Sequence, residues 1–229
     1  MGESKPAYWS GRKLAIIHTT PLTVETLKVL ANEQMPGIEI VNLVDDSILP
    51  QLAANGDRVE EIRVRWSEYA RIAEQLGAEC ILNACSSIGE LCGQVQPEIG
   101  VPIVRIDEAV AEYAVRTASK IGVAATLATT LAPTQRQLRA KAEQAGKEVE
   151  LVAVVASTAY KLLLAGDKDG HDTELAETLR RLAEDTEVVV LAQASMARVV
   201  ERFSPEERKR FLTSPELGMA RVKQVLQNQ

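Results

Sequence analysis

The sequence of 229 residues is poor in aromatic side chains, which make up only 3% of the chain. Proteins that bind single-stranded nucleic acid stack bases on aromatic rings, and proteins that bind a duplex need a clustered basic surface. The net charge is −6, and charges of neither sign form a long block. The composition therefore argues against nucleic acid as a partner, whereas a hydrophobic fraction of 46% is typical of a globular protein with a full core.

Long hydrophobic runs are also missing. No stretch approaches the roughly 18 apolar residues of a membrane helix, and residues 1–6 contain no apolar run like that of a signal peptide. The cysteines Cys80, Cys85 and Cys92 are an odd number close together, which is a poor framework for disulfides. We therefore expect a cytoplasmic protein that makes no use of a membrane.

Signatures of nucleotide and metal sites are absent as well. No Gly-x-Gly-x-x-Gly follows a predicted strand, and no Gly-Lys-Ser or Gly-Lys-Thr loop is present. The cysteine spacing is not that of a zinc site, and only His18 and His171 are available as additional ligands. The sequence therefore predicts neither a metal nor a cofactor.

Apolar segments of strand length alternate with segments of helical period along the chain. The predicted strands are 14–17, 38–44, 80–82, 101–104, 120–125, 149–155 and 187–191. The predicted helices are 22–33, 59–76, 107–118, 131–145, 157–165, 172–184 with Asp172 as its cap, and the end of the chain from Pro205, while 45–56 is a predicted loop. Repeated strand–helix units predict an α/β fold with a parallel sheet, in which ligands lie at the carboxyl ends of the strands.

Two strand-end segments recur at one ungapped offset. Asn83-Ala-Cys85 is similar to Gln193-Ala-Ser195, at an offset of 110 residues (195 minus 85). The same offset pairs Thr19-Thr20 with Thr129-Thr130. The repeat predicts a duplicated half of about 110 residues.

Cys85 is the candidate reactive group because it follows a predicted strand and precedes a predicted helix, whose N-terminus stabilises a thiolate. Its alternative is a buried structural cysteine, which is the role predicted for Cys80 and Cys92. His18 is either a site residue or a histidine whose hydrogen bonds are satisfied at a strand end. The predicted catalytic residues are Cys85 and Ser195, and the predicted substrate-binding residues are His18, Thr19, Asn83, Ser86, Ser87, Thr129, Thr130, Gln193 and Met196.

Four ordered segments resemble the Asp/Glu racemase superfamily: His18-Thr-Thr-Pro21, Asn83-Ala-Cys-Ser-Ser87, Ala125-Thr-Leu-Ala-Thr-Thr130 and the turn near residue 195. That superfamily includes aspartate, glutamate, hydantoin and allantoin racemases, maleate isomerase and arylmalonate decarboxylase. The resemblance implies two pseudo-symmetric Rossmann-like lobes with parallel four-stranded sheets and an active site in the cleft between them. The first lobe would span 1–112, completed by a C-terminal helix at 213–229, and the second lobe 113–212.

The resemblance also implies chemistry without pyridoxal phosphate or metal, in which one cysteine on each lobe exchanges a proton with the substrate. Cys85 matches the first cysteine, whereas Ser195 stands in place of the second, and serine is a poor proton partner for a carbanion. The expectation is a racemase or isomerase of a small carboxylate, as a homodimer or higher homo-oligomer. Two alternatives stay open: a one-thiol decarboxylase or lyase, and an inactive carboxylate-binding protein.

Overall fold

The computed structural model describes residues 8–229, which form two compact units. The first unit comprises residues 8–106 together with Pro215–Gln229, and the second comprises Asp107–Ser214. The first boundary directly follows the fourth strand, so the helix predicted at 107–118 belongs as a whole to the second unit.

The first unit contains a four-stranded parallel sheet with the strand order β2-β1-β3-β4. Its strands are β1 (Lys13–His18), β2 (Glu39–Val44), β3 (Cys80–Asn83) and β4 (Ile103–Arg105). Its helices are α1 (Val24–Gln34), α2 (Ile48–Asn55), α3 (Glu60–Gln75), α4 (Glu90–Val95) and, at the end of the chain, α11 (Ser214–Gln227). The central strands β1 and β3 are buried almost throughout, as a parallel sheet covered on both faces requires.

The second unit repeats this topology, with a parallel sheet in the order β6-β5-β7-β8. Its strands are β5 (Lys120–Ala125), β6 (Glu150–Val155), β7 (Val188–Leu191) and β8 (Phe211–Leu212). Its helices are α5 (Glu108–Thr117), α6 (Ala128–Gln144), α7 (Ser157–Leu164), α8 (Lys168–Glu184), α9 (Ala197–Val200) and α10 (Pro205–Arg208). The predicted α/β fold with two four-stranded parallel sheets is thereby confirmed.

Three local predictions were wrong. Residues predicted as a loop contain α2, because Ile48 and Leu52 bury one face and Gly56 ends the helix in the left-handed region. Helix α8 begins before Asp172, since Asp167 caps it by accepting a bond from the backbone of Gly170 at 2.8 Å. The chain after Pro205 is not continuously helical, because the two-residue strand β8 pairs with β7 there.

Each unit has its own hydrophobic core. In the first unit the indole of Trp66, on α3, is buried against a cluster that includes Ile17 and Ile81 of the sheet. In the second unit Leu175 and Leu179 of α8 pack with Val189 of β7. Among residues 8–229, the structure contains no helix long and apolar enough to cross a membrane.

A pair of glycines tests the packing of helix on sheet. A Cβ atom at Gly122, in the central strand β5, would lie 2.9 Å from Leu182 Cγ and 3.0 Å from Thr186 Oγ1. We expect Gly122→Ala to lower the free energy of unfolding by about 1–3 kcal/mol, because the core must move to admit the methyl group.

Gly93 is the matched control, because it is exposed in helix α4 and a Cβ there meets no atom within 4 Å. Gly93→Ala should raise the free energy of unfolding by about 0.5–1 kcal/mol, since alanine loses less entropy in a helix. Urea unfolding of both variants measures the difference, and equal stability would contradict the packing described.

Candidate active site

Cys85 lies where the chain leaves the first sheet at the carboxyl end of β3. Its backbone is extended (φ −133°, ψ 115°) and leads into a single 3₁₀ turn, Ser86–Ile88, before helix α4. The side chain is buried, with 7% of the residue exposed. The thiol therefore lies at the end of a strand in a turn rich in small polar residues, as the sequence predicted.

The surroundings of Cys85 act on its pKa in opposite directions. Burial raises the pKa of the thiol above its ordinary value of 9.0, because a thiolate loses its hydration there. The hydroxyl of Thr19, the backbone N–H groups of Ser87 and Ile88, and the Ser87 hydroxyl lower the pKa. Burial outweighs their effect, so the resting side chain is a neutral thiol with groups nearby that stabilise a thiolate once it forms.

Two buried polar atoms beside Cys85 have no hydrogen-bond partner within the described part of the chain: Asn83 Oδ1 and Ser87 Oγ. Asn83 donates its Nδ2 to the carbonyl of Cys85 at 2.9 Å, which fixes the orientation of the amide. The Ser87 hydroxyl does not meet the distance and angle of a hydrogen bond, yet it is near enough to the thiol to lower its pKa. Buried polar groups without partners are costly, so both atoms are candidates for contacting a ligand.

His18, a predicted site residue, has both ring nitrogens bonded to residues of its own unit. Nε2 lies 2.9 Å from Asn42 Oδ1, and Nδ1 lies 2.8 Å from the Thr23 hydroxyl. Because an amide oxygen only accepts, Nε2 carries the proton and Nδ1 accepts from Thr23. Burial lowers the pKa of His18, so the ring is neutral and ties the end of β1 to β2 and to the following turn.

Gln193 occupies the turn after β7 in the second unit. Its backbone is extended (φ −126°, ψ 132°) and leads into a 3₁₀ turn, Ala194–Met196. Its Oε1 accepts two hydrogen bonds from Thr126, one from the backbone N–H at 2.7 Å and one from the hydroxyl at 2.8 Å. Thr126 follows β5 directly, so the two bonds connect the carboxyl ends of the two central strands.

The strand registers correct the equivalence predicted from the sequence. The backbone N–H of Ala84 donates to the carbonyl of Ile17, the penultimate residue of β1, and that of Ala192 donates to the carbonyl of Ala124, the penultimate residue of β5. The two turns are therefore related by 108 residues (192 minus 84), and Cys85 corresponds to Gln193 rather than to Ser195. The 110-residue match was wrong because two short similar segments were aligned without the strands that carry them.

The contacts around the two turns support the corrected register. The first strands are offset by 107 residues (121 minus 14), since Leu14 and Ile121 pair with the first residues of β3 and β7. Thr19 is then the counterpart of Thr126, and their hydroxyls contact Cys85 and Gln193 respectively. Sequence reasoning missed Thr126, although its position directly after β5, like that of Thr19 after β1, was a usable signal.

The other predicted residues of the second unit are dispersed. Thr129 and Thr130 lie in the first turn of α6, where the Thr130 hydroxyl donates to the carbonyl of Leu127 at 2.9 Å. Ser195 is exposed in the 3₁₀ turn, at the position that corresponds to Ser87. Met196 is buried in the hydrophobic core of the unit. In the first unit, Ser86 is buried in the turn after Cys85.

An ion cluster that the sequence did not predict lies on α8 and α9. His171 Nδ1 contacts Asp172 Oδ1 at 2.6 Å, and the guanidinium of Arg198 holds both oxygens of Asp172 at 2.7 and 3.0 Å. These contacts attach the start of α8 to the helix that follows the Gln193 turn.

Arg105 is a second residue that sequence reasoning missed. It ends β4 beside Asn83, and its guanidinium lies so close to Gly89 that a methyl group there would overlap with it. A cationic side chain is thus placed over the turn that follows Cys85. A lone arginine at a strand end gives no sequence signal that would have singled it out.

The described residues contain no group of three or more His, Cys, Asp or Glu side chains arranged to hold a metal ion.

A sequence model of the family described as Asp/Glu/Hydantoin racemase matches residues 17–222. No curated protein matches the sequence significantly.

Solved structures with the same fold include three racemases. A glutamate racemase isoform from Bacillus anthracis has a TM-score of 0.74 and 16% identity, over 96% of this chain and 83% of that one. An aspartate racemase from Picrophilus torridus has a TM-score of 0.73 and 13% identity, over 94% of both chains. An allantoin racemase from Klebsiella pneumoniae has a TM-score of 0.68 and 17% identity, over 95% of this chain and 89% of that one. At these identities the similarity establishes the fold.

The surroundings of Cys85 predict how its thiol titrates. The alkylation rate by iodoacetamide should keep rising above pH 9, because the pKa of Cys85 is raised and only the thiolate reacts. Thr19→Val should move this rise to still higher pH, since it removes a hydroxyl that stabilises the thiolate. Mass spectrometry of the Cys85 peptide across pH 7–11 measures both profiles.

The matched control is Thr20→Val, because the Thr20 side chain accepts from Leu22 N and is not among the groups acting on Cys85. Its profile should coincide with that of the wild type. A Thr19→Val profile that also coincides with the wild type would contradict the contact between Thr19 and the thiol.

Proposed function

Because the chain belongs to the Asp/Glu/hydantoin racemase family, we propose that it is a cofactor-independent racemase or related isomerase that acts on a small carboxylate through Cys85. The observation that carries the proposal is the position of this thiol at a strand end, beside polar groups that lower its pKa against the effect of burial. Cys80 and Cys92 are buried in a strand and a helix respectively, and the pKa of Cys80 is raised to about 12.

In the proposed reaction the Cys85 sulfur exchanges a proton with the carbon next to the substrate carboxylate. Cys85 first loses its own proton to solvent, and the thiolate then takes the proton from the carbon while the electron pair of the broken C–H bond is delocalised onto the carboxylate. Return of the proton from Cys85 regenerates the original enantiomer, and inversion requires that a solvent water delivers a proton to the opposite face of the carbon. The Thr19 hydroxyl and the backbone N–H groups of Ser87 and Ile88 stabilise the thiolate form. Ser86 and Ser87, and Ser195 as the counterpart of Ser87, are proposed to bind the substrate.

A one-thiol decarboxylase or lyase is the second candidate, and Gln193 favours it. The register places a carboxamide at the position that corresponds to Cys85, and a carboxamide does not exchange protons near neutral pH. A decarboxylase needs one acid, to protonate the carbon after carbon dioxide leaves, and a neutral buried thiol is suited to that step. Release of carbon dioxide from a substituted malonate distinguishes this candidate from a racemase.

The test of the proposed function is the variant Cys85→Ala. Circular dichroism measures the rate at which enantiopure aspartate, glutamate and allantoin are inverted. In Cys85→Ala this rate should fall at least 100-fold, since a required acid–base group typically contributes about 10²–10⁴-fold. Cys92→Ala is the matched control, because Cys92 is a buried cysteine seven positions further along (92 minus 85).

The control should retain activity within a few-fold, and both variants should show wild-type secondary structure. Cys85→Ala with more than a tenth of the wild-type activity would overturn the assignment of the thiol.

A further inference from the structure

The amide of Gln193 has a fixed orientation. Its Oε1 accepts both hydrogen bonds from Thr126, and since the backbone N–H of Thr126 can only donate, the oxygen must face it. The Nε2 group therefore occupies the other end of the amide, where it has no hydrogen-bond partner among residues 8–229. Gln193 is only half-buried, so this donor is accessible to a ligand.

The polar groups of this turn are compatible with a negatively charged ligand. Ser195 is exposed two positions further on and offers a hydroxyl. Asp172 is neutralised by Arg198, whose side chain is 46% exposed. The turn thus carries two donors, Gln193 Nε2 and the Ser195 hydroxyl, and the carboxylate of Asp172 on α8 is already paired with Arg198.

We propose that Gln193 is a fixed hydrogen-bond donor that binds the carboxylate of the substrate and takes no part in proton transfer. This inference rests on the proposed function, and it gives the second unit a binding role at the position where the first unit carries its reactive thiol. The Thr126 bonds are the essential feature, because they hold the amide so that a donor and not an acceptor meets the ligand. Thr126 itself is a positioning residue.

The variant Gln193→Glu tests the inference because the two side chains have the same shape. One carboxylate oxygen still accepts both bonds from Thr126, while the donor Nε2 is replaced by a negatively charged oxygen. The dissociation constants of L-aspartate and L-glutamate, measured by titration calorimetry, should rise about 10- to 100-fold. Gln193→Met, which keeps the length but loses the donor, should raise them by about 5- to 10-fold.

Glu187 provides a matched control at the opposite edge of the same sheet. Its Oε1 accepts from the backbone N–H of Ser119 at 3.0 Å and of Lys120 at 2.8 Å, so it also connects β5 to β7. Glu187→Gln should leave both dissociation constants unchanged. If Gln193 only connected the two loops, Gln193→Glu, which like Glu187→Gln keeps the oxygen that accepts both bonds, would behave like this control.

Dissociation constants of Gln193→Glu within twofold of the wild type would overturn the inference, as would a wild-type protein that binds neither amino acid. Failure of the proposed function is distinguishable, because it appears as turnover that survives in Cys85→Ala and does not depend on the Gln193 titrations. A rise in the dissociation constants confined to the Gln193 variants supports the assigned donor.

Discussion

The parallel pairing of the first with the third strand in each unit is the constraint on which the candidate site depends. The pairing brings the residue after the first strand against the turn that follows the third strand. In the first unit this places Thr19 near the Cys85 thiol, whose pKa its hydroxyl lowers, and in the second it places Thr126 in hydrogen-bond contact with Gln193. A parallel sheet has its carboxyl ends at one edge, so neither contact requires a long loop.

The two units share this frame but carry different chemistry in it. Cys85 is a group that can exchange a proton, and its surroundings hold it as a neutral thiol with thiolate-stabilising donors nearby. Gln193 is a carboxamide whose orientation is fixed by two bonds to its oxygen. The side chain of Cys85 is suited to proton exchange, and that of Gln193 to binding. Two cysteines at these positions would not divide the roles in this way.

Much of the fold was predictable from the sequence, because buried parallel strands are continuous apolar runs and, among residues 8–229, seven of the eight strands are long enough to recognise. The strand β8 has only two residues, and its pairing with β7 is a tertiary contact without a local pattern. The family and the strand-end position of Cys85 were predicted from short polar motifs. The counterpart of Cys85 was assigned wrongly, since segments as short as Asn83-Ala-Cys85 are aligned reliably only by the hydrogen bonds of their strands. The hydrogen bond of the His18 ring to Asn42 joins two different strands. The sequence around His18 alone therefore could not predict it.

The reaction that we propose is exchange of the hydrogen next to a carboxylate without an added cofactor. The most direct measurement incubates dialysed wild-type protein with single enantiomers of aspartate, glutamate and allantoin in deuterium oxide and follows the α-hydrogen by proton NMR. We expect deuterium to enter the α-position of at least one of these compounds, together with its inversion. Saturable binding without any exchange would contradict it and would indicate a carboxylate-binding protein instead.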